Sequence, residues 1–376
     1  MKKICFVTGT RADYGILAPV MKEVAKNPDA ELQIIATNMH LSPDYGMTVN
    51  EILADGFKID KKIESLVPGG TAKATVESMA KVLEGLAEAF EELQPDLVVI
   101  LGDRYEALAT ASAAATFNIP IAHLHGGETT EGAIDDAFRH AITKLSTLHF
   151  AATPQYAHNI VSMGENPDKV FHSGAPGASE FVENLHTLGE EFYRKTGILP
   201  GEQFILMAMH PVTKLPDKGE AEVKATLKAL EKYIGQGYKV LITMPNSDPG
   251  TVKISECLYK WSESHPENTK AVKSLGSKLF RYALENASVI IGNSSAALIE
   301  APSFRLPAIN VGKRQQGRAH GISVIDVPGE SDAIEKSLGA ALSMEMKSVM
   351  MGLSVGVLNP YYKEDAANFI AERLME

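Results

Sequence analysis

The sequence predicts an α/β protein of two Rossmann-like, doubly wound domains. Short apolar runs alternate with polar loops and helical segments along the whole chain, an order typical of parallel sheets flanked by helices. The run 97–101 is apolar at every position, as expected for a central strand that helices cover on both faces. A chain of 376 residues is also long enough for two domains.

The apolar runs give the predicted strands and the domain limits. The runs are 4–8, 32–37, 97–101, 119–124 and 149–152, then 204–209, 239–244, 288–291, 307–311 and 322–327. A polar stretch and the breaker Leu-Pro-Gly at 199–201 interrupt the pattern. We therefore expect an N-terminal domain over 1–175 and a C-terminal domain over 176–358. A terminal segment over 359–376, helical from 361, is expected to pack back on the N-terminal domain.

Composition and charge exclude several classes of protein. The net charge of −11 disfavours non-specific binding to nucleic acid or to an anionic membrane. Cys5 and Cys257 are the only cysteines, which excludes a disulfide scaffold and a thiolate zinc finger. No apolar run approaches the roughly 18–20 residues of a membrane span, and the first residues hold too few apolar ones for a secretory signal. We expect a cytoplasmic enzyme.

The first candidate site is the turn 8–15, between the first strand and its helix. Gly9 permits a tight turn, and free N–H groups at a helix start attract anions. Arg11 adds a full positive charge. The alternative is an ordinary strand-to-helix turn with a surface arginine.

Asp103 is the second candidate. It follows the apolar run 97–101 and Gly102, so it is expected at the carboxyl edge of the sheet, where an acid must be solvated or paired. The alternative is that Asp103 caps the next helix, and the two roles are compatible.

The segment 123–140 is the richest in titratable groups. His123 and His125 share strand parity, which suggests that both point to one face, and Gly126-Gly127 is expected to turn the chain and expose Glu128. On the following helix, Asp135 and Arg139, like Asp136 and His140, are spaced i,i+4. We favour an acid–base site. A divalent metal is the competing interpretation, although the spacing matches no His-Glu-x-x-His or thiol site, and solvated ion pairs are the simplest alternative.

The second half offers groups suited to a nucleotide. The turn 292–295, Gly-Asn-Ser-Ser, presents N–H groups and hydroxyls suited to a diphosphate. Glu300 suits a ribose diol, or simply faces solvent. The basic loop 313–318 suits an anion, or is a solvated loop. His210, which ends a strand, is on its own more typical of a structural histidine.

Taken together, these motifs resemble the hydrolysing UDP-N-acetylglucosamine 2-epimerases, most closely their bacterial branch. The likeness runs from residue 2 to the last helix. In chain order it rests on Gly9-Thr10-Arg11-Ala12-Asp13-Tyr14, Gly102-Asp103-Arg104, His125-Gly126-Gly127-Glu128, Asp135-Asp136 with 139–144, His210-Pro211, and Gly292-Asn293-Ser294-Ser295 with Arg314-Gln315. The resemblance implies the glycosyltransferase-B architecture, with the site in a cleft between the two domains.

The resemblance also implies an activity, the first step of sialic-acid biosynthesis: UDP-N-acetylglucosamine and water give N-acetylmannosamine and UDP. UDP leaves to give 2-acetamidoglucal, which is then hydrated. No metal and no cofactor are implied, and the first turn lacks the Gly-x-Gly-x-x-Gly fingerprint of a nicotinamide site. The family implies a homodimer, and the stretch 77–93 carries many small or apolar residues that suit one.

Residue roles follow from the same likeness. Asp103, Glu128 and Asp135 match the acidic catalytic region, and His210 is the candidate on the phosphate side. Many relatives carry Glu where this chain has His125, so either His125 or Glu128 takes the role of that catalytic Glu. The implied substrate-binding residues are Ser294 and Ser295 for the diphosphate, Glu300 for the ribose, Ser274 and Leu275 for uracil, and Arg11, Asp13, Arg139, Asn246, Asn293 and Arg314.

Four alternatives stay open at this point. Two keep the epimerase chemistry: a hydrolysing 2-epimerase of a modified bacterial sugar of the legionaminic-acid type, and a non-hydrolysing UDP-N-acetylglucosamine 2-epimerase. Two belong to a different class: a retaining glycosyltransferase, and a non-catalytic protein that binds a UDP-sugar.

Overall fold

The computed structural model describes residues 1–179 and 185–376. The strands are β1 (Lys2–Thr8), β2 (Ala30–Thr37), β3 (Lys61–Ile63), β4 (Leu97–Leu101), β5 (Ile121–Leu124), β6 (Leu148–Ala151), β7 (Val170–His172), β8 (Phe204–Ala208), β9 (Lys239–Thr243), β10 (Thr269–Val272), β11 (Val289–Gly292), β12 (Ala308–Val311) and β13 (Val324–Val327). Every strand predicted from an apolar run is present.

Helices alternate with these strands. They are α1 (Arg11–Lys26), α2 (Val49–Ala54), α3 (Ala72–Leu93), α4 (Tyr105–Thr116), α5 (Asp135–Leu145), α6 (Pro154–Ser162), α7 (Pro176–Ser179), α8 (Gly189–Thr196), α9 (Glu220–Gly235), α10 (Thr251–Ser264), α11 (Gly276–Asn286), α12 (Ala296–Ile299), α13 (Ser331–Ala341), α14 (Met344–Met351), α15 (Val355–Leu358) and α16 (Ala366–Met375). Short 3₁₀ turns lie at Asn38–Leu41, Pro43–Tyr45, Pro167–Lys169, Leu185–Leu188 and Ala301–Phe304.

The chain forms two compact units. The first, unit 1, contains the described residues of Met1–Glu128, Ile134–Glu180 and Lys363–Glu376. The second, unit 2, contains Thr129–Ala133 and the described residues of Phe181–Tyr362. Unit 2 therefore includes a short segment that lies, in sequence, between two stretches of unit 1.

Unit 1 is built on a parallel sheet of order β3-β2-β1-β4-β5-β6-β7. Its strands bury both faces. On β1, Ile4 and Phe6 pack with residues of α1, whereas Cys5 and Val7 pack with residues of α3 and α4. Because alternate residues of a strand point to opposite faces, this division explains the uninterrupted apolar runs of the central strands.

Unit 2 repeats the arrangement with the order β10-β9-β8-β11-β12-β13, again parallel. Ile205 and Met207 of β8 pack with α9, α10 and α13, and Phe204 and Leu206 pack with α8 and α11. In both units the loops that follow the strands leave from one edge of the sheet, since all strands run the same way. The polar motifs of the sequence lie on these loops.

Three strands were not predicted: β3, β7 and β10. They are short, and each lies at an edge of its sheet. The terminal helix also differs from the prediction, because α16 begins at Ala366 after the left-handed residue Asp365 (φ 54°) rather than at 361. Within the described residues no helix is long and apolar enough to cross a membrane.

Helix α16 belongs to unit 1 and completes its core. Ile370 and Leu374 are fully buried and join the apolar cluster that includes Tyr14 and Leu17 of α1. The last helix of the chain thus stabilises the first.

We expect Ile370→Ala to lower the unfolding free energy of unit 1 by about 2–5 kcal/mol, because it removes a fully buried side chain and leaves a cavity. Thermal and urea unfolding followed by circular dichroism measure the change. Glu372→Ala, on the exposed face of the same helix, should stay within about 0.5 kcal/mol of the wild type. Equal effects of the two changes would contradict this packing.

Candidate active site

One buried arginine organises the carboxyl edge of the sheet in unit 1. Arg139 lies on α5, and its side chain is fully buried. One guanidinium nitrogen, Nη2, donates to the Asp103 carboxylate. The other, Nη1, donates to the Glu128 carbonyl at 2.9 Å and lies 3.5 Å from the Asp136 carboxylate. A single side chain therefore joins the loop after β4, the loop after β5 and the first turn of α5.

Asp103 occupies the position that the sequence predicts, at the end of β4. Gly102 turns the chain in a left-handed conformation (φ 75°), and α4 then begins with Arg104 as its N-cap residue. The capping alternative for Asp103 is therefore wrong: its carboxylate pairs with Arg139 instead. An acid at this edge is stabilised by the buried guanidinium.

His123 also holds the loop after β4, the loop that carries Asp103. It is fully buried on β5, and its Nε2 donates to the Gly102 carbonyl at 2.7 Å, because a carbonyl only accepts. Its Nδ1 lies 3.3 Å from the Thr143 hydroxyl oxygen. Burial lowers the pKa of His123 to about 3. A neutral histidine thus holds the carbonyl that directly precedes Asp103.

His125 and Glu128 form a second pair after β5. The two groups are 2.7 Å apart, His125 Nδ1 to Glu128 Oε1. Glu128 is fully buried and His125 is 4% exposed. The expectation that the double glycine exposes Glu128 is therefore wrong, because the turn directs this carboxylate inward onto the imidazole.

The backbone of this turn is tightly constrained. His125 itself is left-handed (φ 63°), a conformation that non-glycine residues rarely adopt. Gly127 is left-handed too, and a Cβ there would lie 2.4 Å from the Tyr156 carbonyl. Because β5 ends at Leu124, the parity argument that placed His125 on the same face as His123 does not apply.

Helix α5 carries the rest of the acidic region. Arg139, Ile142 and Thr143 form its buried face. Asp136 faces His140 at 3.9 Å, as the i,i+4 spacing predicts. Asp135 is the first residue of α5 and is partly exposed; its catalytic role stays a prediction, as does direct contact of Arg139 with substrate.

The turn after β1 is closed by its own acid. The Asp13 carboxylate accepts from the N–H groups of Gly9 (2.9 Å), Thr10 (2.8 Å) and Tyr14 (2.8 Å). With Thr10 it forms a capping box at the start of α1. Several of the N–H groups expected to attract an anion therefore already donate to Asp13, which leaves Arg11 as the positively charged group of this turn.

In unit 2 a buried asparagine joins three loops. Asn293 Oδ1 accepts from the His210 N–H at 2.7 Å, and Nδ2 donates to the His210 carbonyl at 2.9 Å. The Asn293 carbonyl accepts from Gln315 Nε2 at 2.9 Å and from Arg314 Nη1 at 3.1 Å. The structure thus brings together His210, Asn293 and Arg314, which the sequence named separately.

The Gly-Asn-Ser-Ser turn depends on its glycine. Gly292 has φ 144°, and a Cβ there would lie 2.0 Å from the Ala208 carbonyl oxygen. Ser294 and Ser295 follow directly before α12. No larger residue fits at Gly292, so the position of both hydroxyls is set by close contact with β8.

The other predicted nucleotide residues lie at the same edge of this sheet or on the helix that leaves it. Asn246 follows β9, and Ser274 and Leu275 follow β10. The Ser274 hydroxyl accepts from the Gly276 N–H at 3.1 Å, at the start of α11. Glu300 ends α12. Their contacts with a ligand stay predictions.

One feature of the site escaped the sequence reasoning. Thr129–Ala133, which links Glu128 to α5, packs within unit 2 on the loop that follows β12. The Glu131 N–H donates to the Gln316 carbonyl at 3.0 Å, and Lys214 Nζ donates to the Glu131 carbonyl at 2.8 Å. A Cβ on Gly132 would lie 2.5 Å from the Lys313 carbonyl oxygen and 2.7 Å from the Arg314 Cα. A lone glycine was the only signal of this contact.

Within the described ranges, 1–179 and 185–376, no group of three or more His, Cys, Asp or Glu residues is arranged to hold a metal ion. The dense cluster of acids and histidines in unit 1 is instead connected by ion pairs and hydrogen bonds through Arg139 and His125.

This chain is similar to known proteins over most of its length. The model of the UDP-N-acetylglucosamine 2-epimerase family matches residues 22–375. A Legionella pneumophila protein named UDP-N,N'-diacetylbacillosamine 2-epimerase (hydrolyzing) is 40% identical over 91% of this chain and 89% of its own. A Campylobacter jejuni protein named GDP/UDP-N,N'-diacetylbacillosamine 2-epimerase (hydrolyzing) is 36% identical over 92% of this chain and 89% of its own.

The fold has solved counterparts. The crystal structure of UDP-GlcNAc 2-epimerase from Neisseria meningitidis bound to UDP-GlcNAc matches with a TM-score of 0.80 over 99% of both chains, at 21% sequence identity. The predicted pair of Rossmann-like α/β domains is thereby confirmed. The chain belongs to the UDP-N-acetylglucosamine 2-epimerase family.

We expect the stability of unit 1 to fall as the pH drops below about 6.5. The pKa of His123 is lowered to about 3 in the folded protein, so between these values the unfolded chain binds a proton that the folded one excludes. The stabilisation is complete above 6.5 and is lost as the pH falls towards 3, at up to about 1.4 kcal/mol per pH unit for one site.

The variant His123→Gln keeps a donor for Gly102 but cannot titrate. Urea unfolding between pH 4 and 6 should give a shallower pH slope for this variant than for the wild type. His158→Gln, on an exposed position of α6, should leave the slope unchanged. Equal slopes in the wild type and His123→Gln would show that His123 does not titrate as its burial requires.

Proposed function

We propose that this chain is a hydrolysing 2-epimerase of UDP-activated 2-acetamido sugars, releasing UDP and a free sugar inverted at C2. The observation that carries the proposal is the cluster at the carboxyl edge of unit 1, in which Arg139 and His125 hold Asp103 and Glu128 together. The identities of 40% and 36% to two relatives named as hydrolysing support water, rather than UDP, as the group that attacks C1.

The chemistry explains why such a cluster is needed. The C2–H bond is not acidic, because the amide is joined to C2 through nitrogen. Departure of UDP gives C1 the character of an oxocarbenium ion, which acidifies C2–H. A base removes that proton, and C1=C2 forms to give a 2-acetamidoglucal. Water then adds its oxygen to C1 while an acid delivers a proton to the other face of C2, so the reaction needs a base, an acid and a group that positions water.

We assign these proton transfers to unit 1 and the nucleotide to unit 2. Asp103, Asp135 and one member of the His125–Glu128 pair are the proposed acid–base groups. The loops joined by Asn293 supply the proposed diphosphate contacts, from Ser294 and Ser295 together with His210 and Arg314. The anchoring of these loops by a buried asparagine supports the assignment, because a preorganised site binds a charged ligand at lower cost.

Two UDP-activated 2-acetamido sugars are candidate substrates. UDP-N-acetylglucosamine is the substrate that the sequence motifs imply. UDP-N,N'-diacetylbacillosamine is favoured by the two relatives at 40% and 36% identity, whose names carry that sugar. The family assignment supports either over a glycosyltransferase or a non-catalytic UDP-sugar binder.

Incubation with each nucleotide sugar, followed by ¹H and ³¹P NMR, tests the proposal. We expect free UDP and a free 2-epimeric sugar in equal amounts, with a higher kcat/KM for the diacetylated substrate. A 2-epimeric sugar still joined to UDP would indicate the non-hydrolysing reaction. Turnover that requires an added acceptor would indicate a transferase.

We expect Asp103→Asn to lower kcat by roughly 10²–10⁴ with little change in UDP affinity, because the amide keeps the shape of the side chain but cannot exchange a proton. Asp96→Asn is the matched control, since Asp96 flanks the amino end of the same strand, β4. Steady-state kinetics and calorimetry with UDP measure the two effects. Wild-type kcat in Asp103→Asn would remove Asp103 from the chemistry.

We expect Gly132→Ala to weaken UDP binding by at least about tenfold, because its Cβ would displace the backbone at Lys313 and Arg314. Gly235→Ala is the control, since a Cβ there meets no atom within 4 Å. Unchanged UDP affinity in Gly132→Ala, measured by calorimetry, would separate the basic loop from the nucleotide.

A further inference from the structure

We propose that His125 is the base that takes the C2 proton, through Nε2, and that Glu128 is its positioning residue. This inference rests on the proposed epimerase function and assigns one of its steps. The sequence left open whether His125 or Glu128 takes the role of the glutamate that many relatives carry at position 125. The geometry points to the histidine as the base of this pair.

The hydrogen bond to Glu128 selects one tautomer of His125. The His125 Nδ1 lies 2.7 Å from Glu128 Oε1, and a carboxylate only accepts hydrogen bonds. The proton of the neutral imidazole is therefore on Nδ1, and the lone pair is at Nε2. Nε2 is then the basic atom of the pair, while the carboxylate is engaged in holding the ring.

The Nε2 atom of His125 is buried. Among the described residues it has no hydrogen-bond partner, although His125 is only 4% exposed. His123, two residues earlier, has both ring nitrogens close to a protein oxygen. Leaving a buried acceptor without a donor costs free energy, and a group kept in that state calls for a functional explanation.

The backbone that holds the His125 ring has an uncommon conformation. His125 is left-handed (φ 63°), a conformation that only a few per cent of non-glycine residues adopt. The two glycines that follow pack closely, since a Cβ on Gly126 would lie 3.0 Å from the His123 ring. Strain kept by tight surroundings is typical of residues that act on a ligand.

The proton transfer to His125 is part of an elimination reaction. The Nε2 lone pair takes the proton from C2, and the electrons of the C2–H bond form the C1=C2 double bond. The bond from C1 to the phosphate oxygen breaks, and its electrons leave with UDP. The imidazolium that results has the buried carboxylate of Glu128 beside Nδ1, which stabilises its charge. In the hydration step a different group returns a proton to the opposite face of C2.

His125→Asn is the first test, because asparagine tolerates a left-handed backbone and offers no base. We expect kcat to fall by roughly 10²–10⁴ while UDP affinity stays within about threefold. His125→Glu restores a base at this position and should recover at least about tenfold of that loss. His158→Asn, at an exposed position, should behave as the wild type.

A second measurement separates catalysis from structure. Each variant is given 2-acetamidoglucal and UDP in deuterated water, and hydration to the free sugar is followed by NMR. His125→Asn should hydrate the glycal at nearly the wild-type rate, because the proposed base acts only in the elimination. In His125→Gly, added imidazole should raise the elimination rate in proportion to its concentration.

The outcomes are distinct. An inactive wild-type protein with both nucleotide sugars would overturn the proposed function itself. An active wild type with a His125→Asn variant of nearly normal kcat would overturn only the role of His125. Equal loss of both half-reactions in His125→Asn, with no rescue by imidazole in His125→Gly, would make His125 a structural residue.

Discussion

The buried guanidinium of Arg139 is the interaction on which the acid cluster depends. A fully buried arginine must have its charge compensated, and this one is compensated by the Asp103 carboxylate, with Asp136 at 3.5 Å. Its further bond to the Glu128 carbonyl ties the backbone of the His125 turn to the same group. Removing Arg139 would therefore release the loops after β4 and β5 from helix α5. The proposed catalytic groups are thereby held close together, as acid–base chemistry at a single carbon would require.

Unit 2 uses the same device with a neutral residue. Asn293 engages its amide and its carbonyl to connect the loops after β8, β11 and β12. The segment Thr129–Ala133 then rests on the last of these loops, through Glu131 and Gly132. This segment follows Glu128 directly in the chain. The residues next to the proposed acid–base pair, His125 and Glu128, therefore contact the proposed nucleotide-binding loop.

The pattern of apolar and polar residues predicted the central strands of both sheets and the loops that follow them. Central strands buried on both faces are apolar throughout, so their runs identified both sheets and the loops that follow them. The strands β3, β7 and β10 were missed because they lie at sheet edges and contain no long run of apolar residues. Residue types also located the polar loops, but not the partners within them. The inward turn of Glu128, the closure of the first turn by Asp13 and the close approach at Gly132 are set by backbone geometry that residue types do not encode.

We propose that the cluster around Arg139 and His125 exchanges a proton at C2 of a UDP-sugar and that water completes the reaction. The most direct measurement is one turnover reaction in deuterated water, followed by NMR of the sugar. We expect free UDP and a free sugar with inverted C2 that carries deuterium at that carbon. A product that keeps its original hydrogen at C2, or a sugar released without inversion, would contradict it.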